Sequence, residues 1–257
     1  MSDTTGFEMS LRHWRLVPRL FAMLIWLIAC VPAYYLRRLL PGENPVPPAF
    51  LGGIARIAGV RIDTDGPVPD GRAILLANHL SWLDILVLAS RTGTAFVAHD
   101  GLAQSGFIRW LCEMNNTLFI ERSRRSTIAR QVEQLKDALS KSRVLTLFPE
   151  GTTGDGKTLL PLKSALLAAI DPPPDGVDIQ PVFLDYSDEA ADIAWGPGEP
   201  GTDNFLRVVA RAEPLDVTIR FFPPLSGTDR SGRKAIAAAV GSALRGALAR
   251  QQRTPSH

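Results

Sequence analysis

The stretch Ala73-Ile74-Leu75-Leu76-Ala77-Asn78-His79-Leu80-Ser81-Trp82-Leu83-Asp84 joins an apolar run directly to a polar cluster. A short apolar run after a turn signal, here Asp70-Gly71, predicts a buried strand. The polar cluster then lies at the carboxyl end of that strand, which is where α/β sheets carry their sites. We therefore expect an α/β fold with a functional site at this edge.

His79 and Asp84 have the side chains needed for general base chemistry. A histidine can take a proton from a hydroxyl, and a carboxylate can orient the imidazole and stabilise its cation. The two side chains meet only if His79 precedes the helix predicted from Trp82 to Ser90, because five residues on a regular helix are about 140° apart. The alternative is a polar histidine in a turn and a solvated first-turn carboxylate at Asp84.

Three further blocks follow the first polar cluster in the order of a known family. The chain resembles the lysophospholipid acyltransferases, typified by 1-acylglycerol-3-phosphate acyltransferase. Their motifs are NHxSxxD, a block close to GxxFIxR, then FPEGT, and a short apolar stretch that begins with proline. Asn116 stands where the second motif usually has glycine. The matching residues are Asn78, His79, Ser81, Asp84, Phe119, Ile120, Arg122, the run from Phe148 to Thr152, and Pro181-Val182-Phe183.

The resemblance implies a mechanism and a set of site residues. His79 would be the general base that deprotonates a lysolipid hydroxyl, Asp84 would orient it, and the alkoxide would attack an acyl thioester directly. Neither a nucleophilic serine or cysteine nor a metal or cofactor is implied. Arg122 would bind an anionic head group, for which a guanidinium is suited; from the residues alone it reads as a surface arginine. The other implied substrate-binding residues are Asn78, Ser81, Glu150, Gly151, Thr152 and Lys163.

The implied acceptor is 1-acylglycerol-3-phosphate, giving phosphatidic acid, and lyso-ornithine lipid is the alternative. His99-Asp100 stands where many family members have a lysine, and Lys163 is not followed by the glycine common in glycerophosphate enzymes. The pattern from Gly154-Asp155-Gly156 to Leu166 looks more like the lyso-ornithine lipid acyltransferases. The donor would be acyl carrier protein or coenzyme A carrying the acyl chain.

An apolar segment from Leu20 to Leu36 predicts attachment to a membrane. Pro32 interrupts it, and arginines flank it on both sides, which favours a segment that dips into the membrane and returns. We expect an anchor on the cytoplasmic face of the cytoplasmic membrane. The run Pro41 to Pro48 has the composition of a linker. The apolar stretch from Phe50 to Val60 is either a second surface patch or a packing helix.

The 257 residues predict one domain of residues 60–257 behind a membrane-associating segment and linker of residues 1–59. A net charge of +2 gives no indication of nucleic acid binding. Two cysteines indicate neither a disulfide framework nor a metal site.

From Val60 onward, strands and helices alternate, which predicts a mixed sheet flanked by helices. The predicted strands are residues 60–63, 73–77, 94–98, 117–120, 143–148, 178–184 and 217–222, and the predicted helices are residues 82–90, 105–114, 128–139, 162–170 and 234–250.

Two alternatives belong to other functional classes. Gly151 to Thr158 fits the phosphate-binding pattern GxxxxGK[ST] after a strand, which is typical of nucleotide-hydrolysing proteins. Pro161 and the nearby carboxylates Glu150 and Asp155 argue against it. A non-catalytic lipid-binding protein is the third class, although lipid binding alone does not need a base such as His79.

Overall fold

The computed structural model describes residues 4–99, 105–120 and 128–253. The helices are α1 (Thr4–Arg37), α2 (Val46–Ile57), α3 (Leu83–Thr92), α4 (Gly106–Met114), α5 (Ile128–Lys141), α6 (Ala190–Ile193), α7 (Gly201–Val209) and α8 (Arg233–Gln251). The strands are β1 (Val60–Asp65), β2 (Ala73–Ala77), β3 (Ala95–His99), β4 (Leu118–Ile120), β5 (Val144–Leu147), β6 (Asp178–Asp185) and β7 (Leu215–Phe221).

The seven strands form one mixed sheet in the order β1-β7-β6-β2-β5-β3-β4. Strands β2 to β6 are parallel, and β7 runs antiparallel to β6 and parallel to β1. The carboxyl ends of β2, β5 and β6 therefore lie side by side at one edge. The predicted mixed sheet flanked by helices is confirmed.

Every residue of β2 is buried, and its side chains alternate between two cores. Leu75 faces the core that receives α2, α3 and α7, whereas Ile74 and Leu76 face the core beneath α5 and α8. A continuous apolar strand is expected where helices cover both faces of a parallel sheet. This burial fixes which way the chain points when it leaves β2 at Asn78.

The predicted break at Pro32 and the return of the chain within the apolar segment are wrong. Helix α1 is continuous and contains both Pro18 and Pro32. Residues Trp14–Arg37 are long and apolar enough to cross a membrane, and 11% of the most apolar window is buried. Leu36 and Phe21 are among its exposed apolar side chains. An N-terminal apolar helix is thus present, as predicted.

One face of α1 packs on the rest of the protein. The Trp26 Nε1 donates a hydrogen bond to the Phe50 carbonyl, and the Arg19 guanidinium donates to the carbonyls of Val209 and Arg211 at the end of α7. A Cβ atom at Gly53 would lie 2.1 Å from the Trp26 Nε1, so glycine is what permits α2 to approach α1 this closely.

Other boundaries also differ from the predictions. The predicted linker is wrong over its last three residues, because α2 already begins at Val46, and proline is tolerated in a first helical turn. The predicted helix at residues 162–170 is a 3₁₀ helix at Ser164–Ile170. Helices α6 and α7 were not predicted. The split at residue 60 stays a prediction.

Asn116 stands where the second motif has glycine, and it adopts a backbone conformation that is typical of glycine. Its φ is 53°, in the left-handed region, and it follows the end of α4. Asparagine is among the few residues other than glycine that adopt this region readily. The departure from the motif is therefore compatible with the same turn into β4.

Candidate active site

The polar residues after β2 form a tight turn held by their own side chains. The Asn78 amide donates to the Leu184 carbonyl at 3.1 Å and accepts from the Leu184 N–H at 2.7 Å, so it continues the pairing of β2 with β6 beyond the end of β2. The Ser81 Oγ accepts from the Leu83 N–H at 3.2 Å, at the first residue of α3. Both side chains are buried.

His79 and Asp84 meet as the strand-to-helix junction predicts. The His79 Nδ1 lies 2.8 Å from the Asp84 Oδ2, and that oxygen also accepts from the Leu80 N–H at 2.6 Å and the Ser81 N–H at 2.9 Å. Asp84 has no exposed surface, so the alternative of a solvated first-turn carboxylate is wrong. One carboxylate thus binds the turn and faces the imidazole.

The imidazole is restrained on its face as well as at Nδ1. The His79 and Phe148 rings are stacked with centroids 4.0 Å apart and planes at 15°. The His79 side chain keeps 19% of its surface exposed. With Nδ1 engaged by Asp84, Nε2 is the nitrogen left to act on a substrate. Sequence reasoning treated Phe148 only as a motif residue and missed this stacking.

Glu150 connects the third motif to the first. Its Oε1 accepts from the His79 N–H at 2.9 Å, and its Oε2 accepts from the Leu160 N–H at 2.9 Å. The residue is 2% exposed, and both oxygens serve the backbone. Glu150 was expected to contact the acceptor; the structure instead places it behind His79.

Burial raises the pKa of Glu150 above the ordinary value of 4.5, although the hydrogen bonds from the Leu160 and His79 N–H groups oppose the shift. A carboxyl group that holds its proton more tightly in the folded state stabilises the fold most below its unfolded pKa. That contribution is lost as the pH rises through the folded pKa.

Glu150→Gln is expected to destabilise the detergent-solubilised protein. The new NH₂ group faces one of two backbone N–H donors, and an unpaired buried donor costs about 1–3 kcal/mol. Only the wild type has a buried carboxyl group that must ionise as the pH rises, and its ionisation destabilises the fold. The difference in free energy of unfolding between the wild type and the variant should therefore become smaller as the pH rises above 4.5. Denaturant unfolding at several pH values measures this difference.

Glu113→Gln, at an exposed ion pair, is the control and should change stability by less than about 1 kcal/mol. A difference in free energy of unfolding that grows with pH would contradict a raised pKa for Glu150.

The remaining predicted site residues lie outside this cluster or beyond the described residues. Gly151 has a φ of 70°, and a Cβ there would lie 3.1 Å from the Lys163 Nζ, so the exposed Lys163 side chain passes over this turn. Thr152 is exposed. Arg122 and Asp100 are outside the described residues.

The segment from Gly151 to Thr158 does not have the structure of a nucleotide-binding loop. No helix begins at Lys157; the chain continues without a helix to the 3₁₀ helix at Ser164–Ile170. The Asp155 carboxylate already accepts from the N–H groups of Lys157 and Thr158, and these bonds lower its pKa. Two of the amides that would bind a phosphate are therefore occupied by an internal carboxylate.

Comparison with known proteins identifies the family. The Acyltransferase family profile matches residues 59–185. The chain is 32% identical over 256 residues to a lyso-ornithine lipid O-acyltransferase of Rhodobacter capsulatus, covering 93% of this chain and 92% of that one. This chain belongs to the acyltransferase family. The resemblance to the lysophospholipid acyltransferases is confirmed, and so is the prediction of an O-acyltransferase of the lysophospholipid type.

Two further relatives of the acyltransferase are more distant. A 1-acyl-sn-glycerol-3-phosphate acyltransferase of Neisseria gonorrhoeae is 25% identical over 194 residues, covering 74% of this chain and 75% of that one. The crystal structure of the 1-acyl-sn-glycerophosphate acyltransferase PlsC from Thermotoga maritima covers 95% of this chain and 100% of its own, with a TM-score of 0.67 and 19% identity. The latter establishes the shared fold.

Proposed function

We propose that this acyltransferase moves a fatty acyl chain from an acyl thioester to the free hydroxyl of lyso-ornithine lipid, with His79 as the general base. The observation that carries the proposal is the 2.8 Å contact between the His79 Nδ1 and the buried Asp84 carboxylate. That contact favours the tautomer with the proton on Nδ1, which leaves a lone pair on Nε2 of this partly exposed imidazole.

The reaction then needs one base and no covalent enzyme intermediate. The His79 Nε2 takes the hydroxyl proton as the lysolipid oxygen attacks the thioester carbonyl, forming the new C–O bond. The C–S bond breaks, and the thiolate that leaves receives the proton from the imidazolium. Asp84 stabilises that cation while it exists. A solvent-shielded carboxylate with its hydrogen bonds already in place does this without reorganising.

Lyso-ornithine lipid is the first candidate acceptor because two relatives that are lyso-ornithine lipid O-acyltransferases match this chain over most of their length. A second such enzyme, from Brucella abortus, is 30% identical and is covered to 91%. The glycerophosphate enzymes match at 25% identity or below over three quarters of their length. This likeness, and the fold of PlsC, make 1-acylglycerol-3-phosphate the second candidate acceptor.

The acceptor is tested by offering membranes that contain the protein lyso-ornithine lipid and 1-acylglycerol-3-phosphate side by side, each with acyl carrier protein and coenzyme A thioesters. We expect the diacylated product of lyso-ornithine lipid to form at least about tenfold faster, the discrimination that a site built around polar head-group contacts provides. Membranes from cells with the empty vector are the control. Faster formation of phosphatidic acid would reverse the order of the two acceptors, and no product from either would contradict the proposal.

We also propose a location on the cytoplasmic face of the cytoplasmic membrane. Arginines flank the apolar part of α1 on both sides, at Arg15 and Arg19 before it and at Arg37 and Arg38 after it. Basic residues remain on the cytoplasmic side, so both ends of the continuous helix are expected there. Because one face of α1 packs on α2 and α7, we infer that the opposite, exposed apolar face contacts the lipid.

Sealed vesicles of known orientation test the face. A thioester donor that does not cross the membrane should be used by inverted vesicles and not by right-side-out ones. The opposite pattern would overturn the location without affecting the proposed chemistry.

A further inference from the structure

Tyr186 follows directly after β6 and touches the base-orienting carboxylate from the side opposite His79. Its hydroxyl donates to the Asp84 Oδ1 at 2.7 Å. Tyr186 and Asp84 are both fully buried, although 102 residues separate them in the chain. The contact exists because β6 and β2 are parallel neighbours whose carboxyl ends meet at the same edge of the sheet.

The two oxygens of Asp84 have separate tasks. Oδ2 faces the imidazole and accepts from the N–H groups of Leu80 and Ser81. Among the described residues, the hydroxyl of Tyr186 supplies the hydrogen bond to Oδ1. With both oxygens engaged, the carboxylate cannot rotate about its bond to Cβ without breaking contacts on both sides.

The phenol is a permanent donor in this environment. Burial and the adjacent Asp84 charge raise the pKa of Tyr186 well above its ordinary value of 10. The hydroxyl hydrogen is therefore present across the whole pH range in which a histidine titrates.

The backbone around Tyr186 is also held in place. The Asn78 amide makes two hydrogen bonds to Leu184, two residues earlier. The Asp185 carboxylate binds the Arg220 guanidinium of β7 and accepts from the Ser187 N–H. These contacts fix the position of the phenol relative to the turn that carries His79.

We infer that Tyr186 is a positioning residue for acyl transfer, because its hydroxyl holds the Asp84 carboxylate in the orientation that presents Oδ2 to the His79 Nδ1. The inference rests on the proposed role of His79 as the base. Tyr186 lies behind the carboxylate and acts through it. The hydrogen bond also draws negative charge toward Oδ1, so its removal should let Asp84 stabilise the imidazolium more strongly.

Tyr186→Phe removes this hydrogen bond and keeps the ring. We expect kcat to fall about 10- to 100-fold, the range that corresponds to one lost hydrogen bond to a charged group. The KM values for the lysolipid and the thioester should not change, because Tyr186 touches neither. The acid limb of the kcat/KM profile should move to higher pH, because the carboxylate, deprived of one donor, stabilises the imidazolium more strongly.

Ile219→Val is the matched control. Ile219 is fully buried on β7, pairs with Leu184 in the sheet and carries no polar group toward Asp84. The Ile219→Val variant should have an altered thermal stability and an unchanged pH profile of kcat/KM. A Tyr186→Phe protein that is folded but has the kcat and pH profile of the wild type would overturn the inference.

Fluorinated tyrosine at position 186 provides the second measurement if Tyr186→Phe does not fold. Fluorine adds little volume and makes the phenol a stronger donor, so the acid limb should move to lower pH in step with the number of fluorine atoms. An unchanged limb would overturn the inference. His79→Ala separates the two levels: retained activity would refute the proposed base, whereas an inactive His79→Ala with an unchanged Tyr186→Phe would refute only the positioning role.

Discussion

His79→Ala is expected to abolish acyl transfer while leaving the protein folded. Loss of a general base costs about 10²–10⁴-fold in rate. Here the loss should lie at the upper end of that range, because the proposed mechanism has no serine or cysteine nucleophile that could carry the reaction without His79. The fold should survive because the hydrogen bond that holds this residue to Glu150 comes from the backbone N–H, which alanine retains. Product formation with the preferred acceptor, compared by mass spectrometry, measures the effect.

His79→Gln is the companion variant. Glutamine fills part of the space over Phe148 and can still donate to Asp84, but it cannot take up a proton at neutral pH. It should therefore be as inactive as His79→Ala and closer to the wild type in thermal stability. Turnover within tenfold of the wild type in either variant would remove His79 from the chemistry.

Asp84→Asn is expected to reduce kcat by about 10²–10⁴-fold, the range by which general acid–base catalysis contributes to rate. The loss should come from the missing charge and not from a change of tautomer. Three donors converge on Oδ2, at His79, Leu80 and Ser81, so the asparagine oxygen should face them and its NH₂ group should face Tyr186. The tautomer is then preserved, and what disappears is the negative charge that stabilises the imidazolium.

The same substitution should also lower the free energy of unfolding. Hydrogen bonds to a charged group contribute about 1.5–3 kcal/mol each, more than bonds to a neutral amide. Steady-state kinetics and denaturant unfolding measure the two effects on the same preparation. Asp216→Asn, an exposed carboxylate 3.7 Å from Arg61, is the control that should leave both unchanged. Near-normal turnover of Asp84→Asn, with His79→Ala inactive, would contradict a role for the charge.

The core of the fold could be predicted because its signals are local. The apolar runs of β2, β5 and β6 are bounded by turn residues, and the spacing of His79 and Asp84 requires a histidine ahead of the helix. Helix α1 was harder to predict, because it continues through Pro32 although proline in a helix interior removes a backbone hydrogen bond and is the least favourable residue there.

Other parts of the site depend on contacts between segments that are distant in the chain. The partners of Glu150 lie 71 residues before it and 10 after it, and no pattern in a single sequence shows that pairing. Tyr186 gave no signal in the sequence, where it is a tyrosine shortly after the strand predicted at residues 178–184. Only the order of the strands, β6 beside β2, brings its hydroxyl to Asp84.

The bond from the His79 backbone to the Glu150 carboxylate has a consequence for attempts to move this chemistry to another protein. The histidine turn is not a self-contained cassette, because part of its scaffold is a side chain from the loop after β5. A graft that copied only residues 78–84 would supply the reactive groups and leave the histidine amide without its acceptor. The smallest transplantable unit is therefore the three segments that follow β2, β5 and β6, which contribute the buried side chains of Asp84, Glu150 and Tyr186.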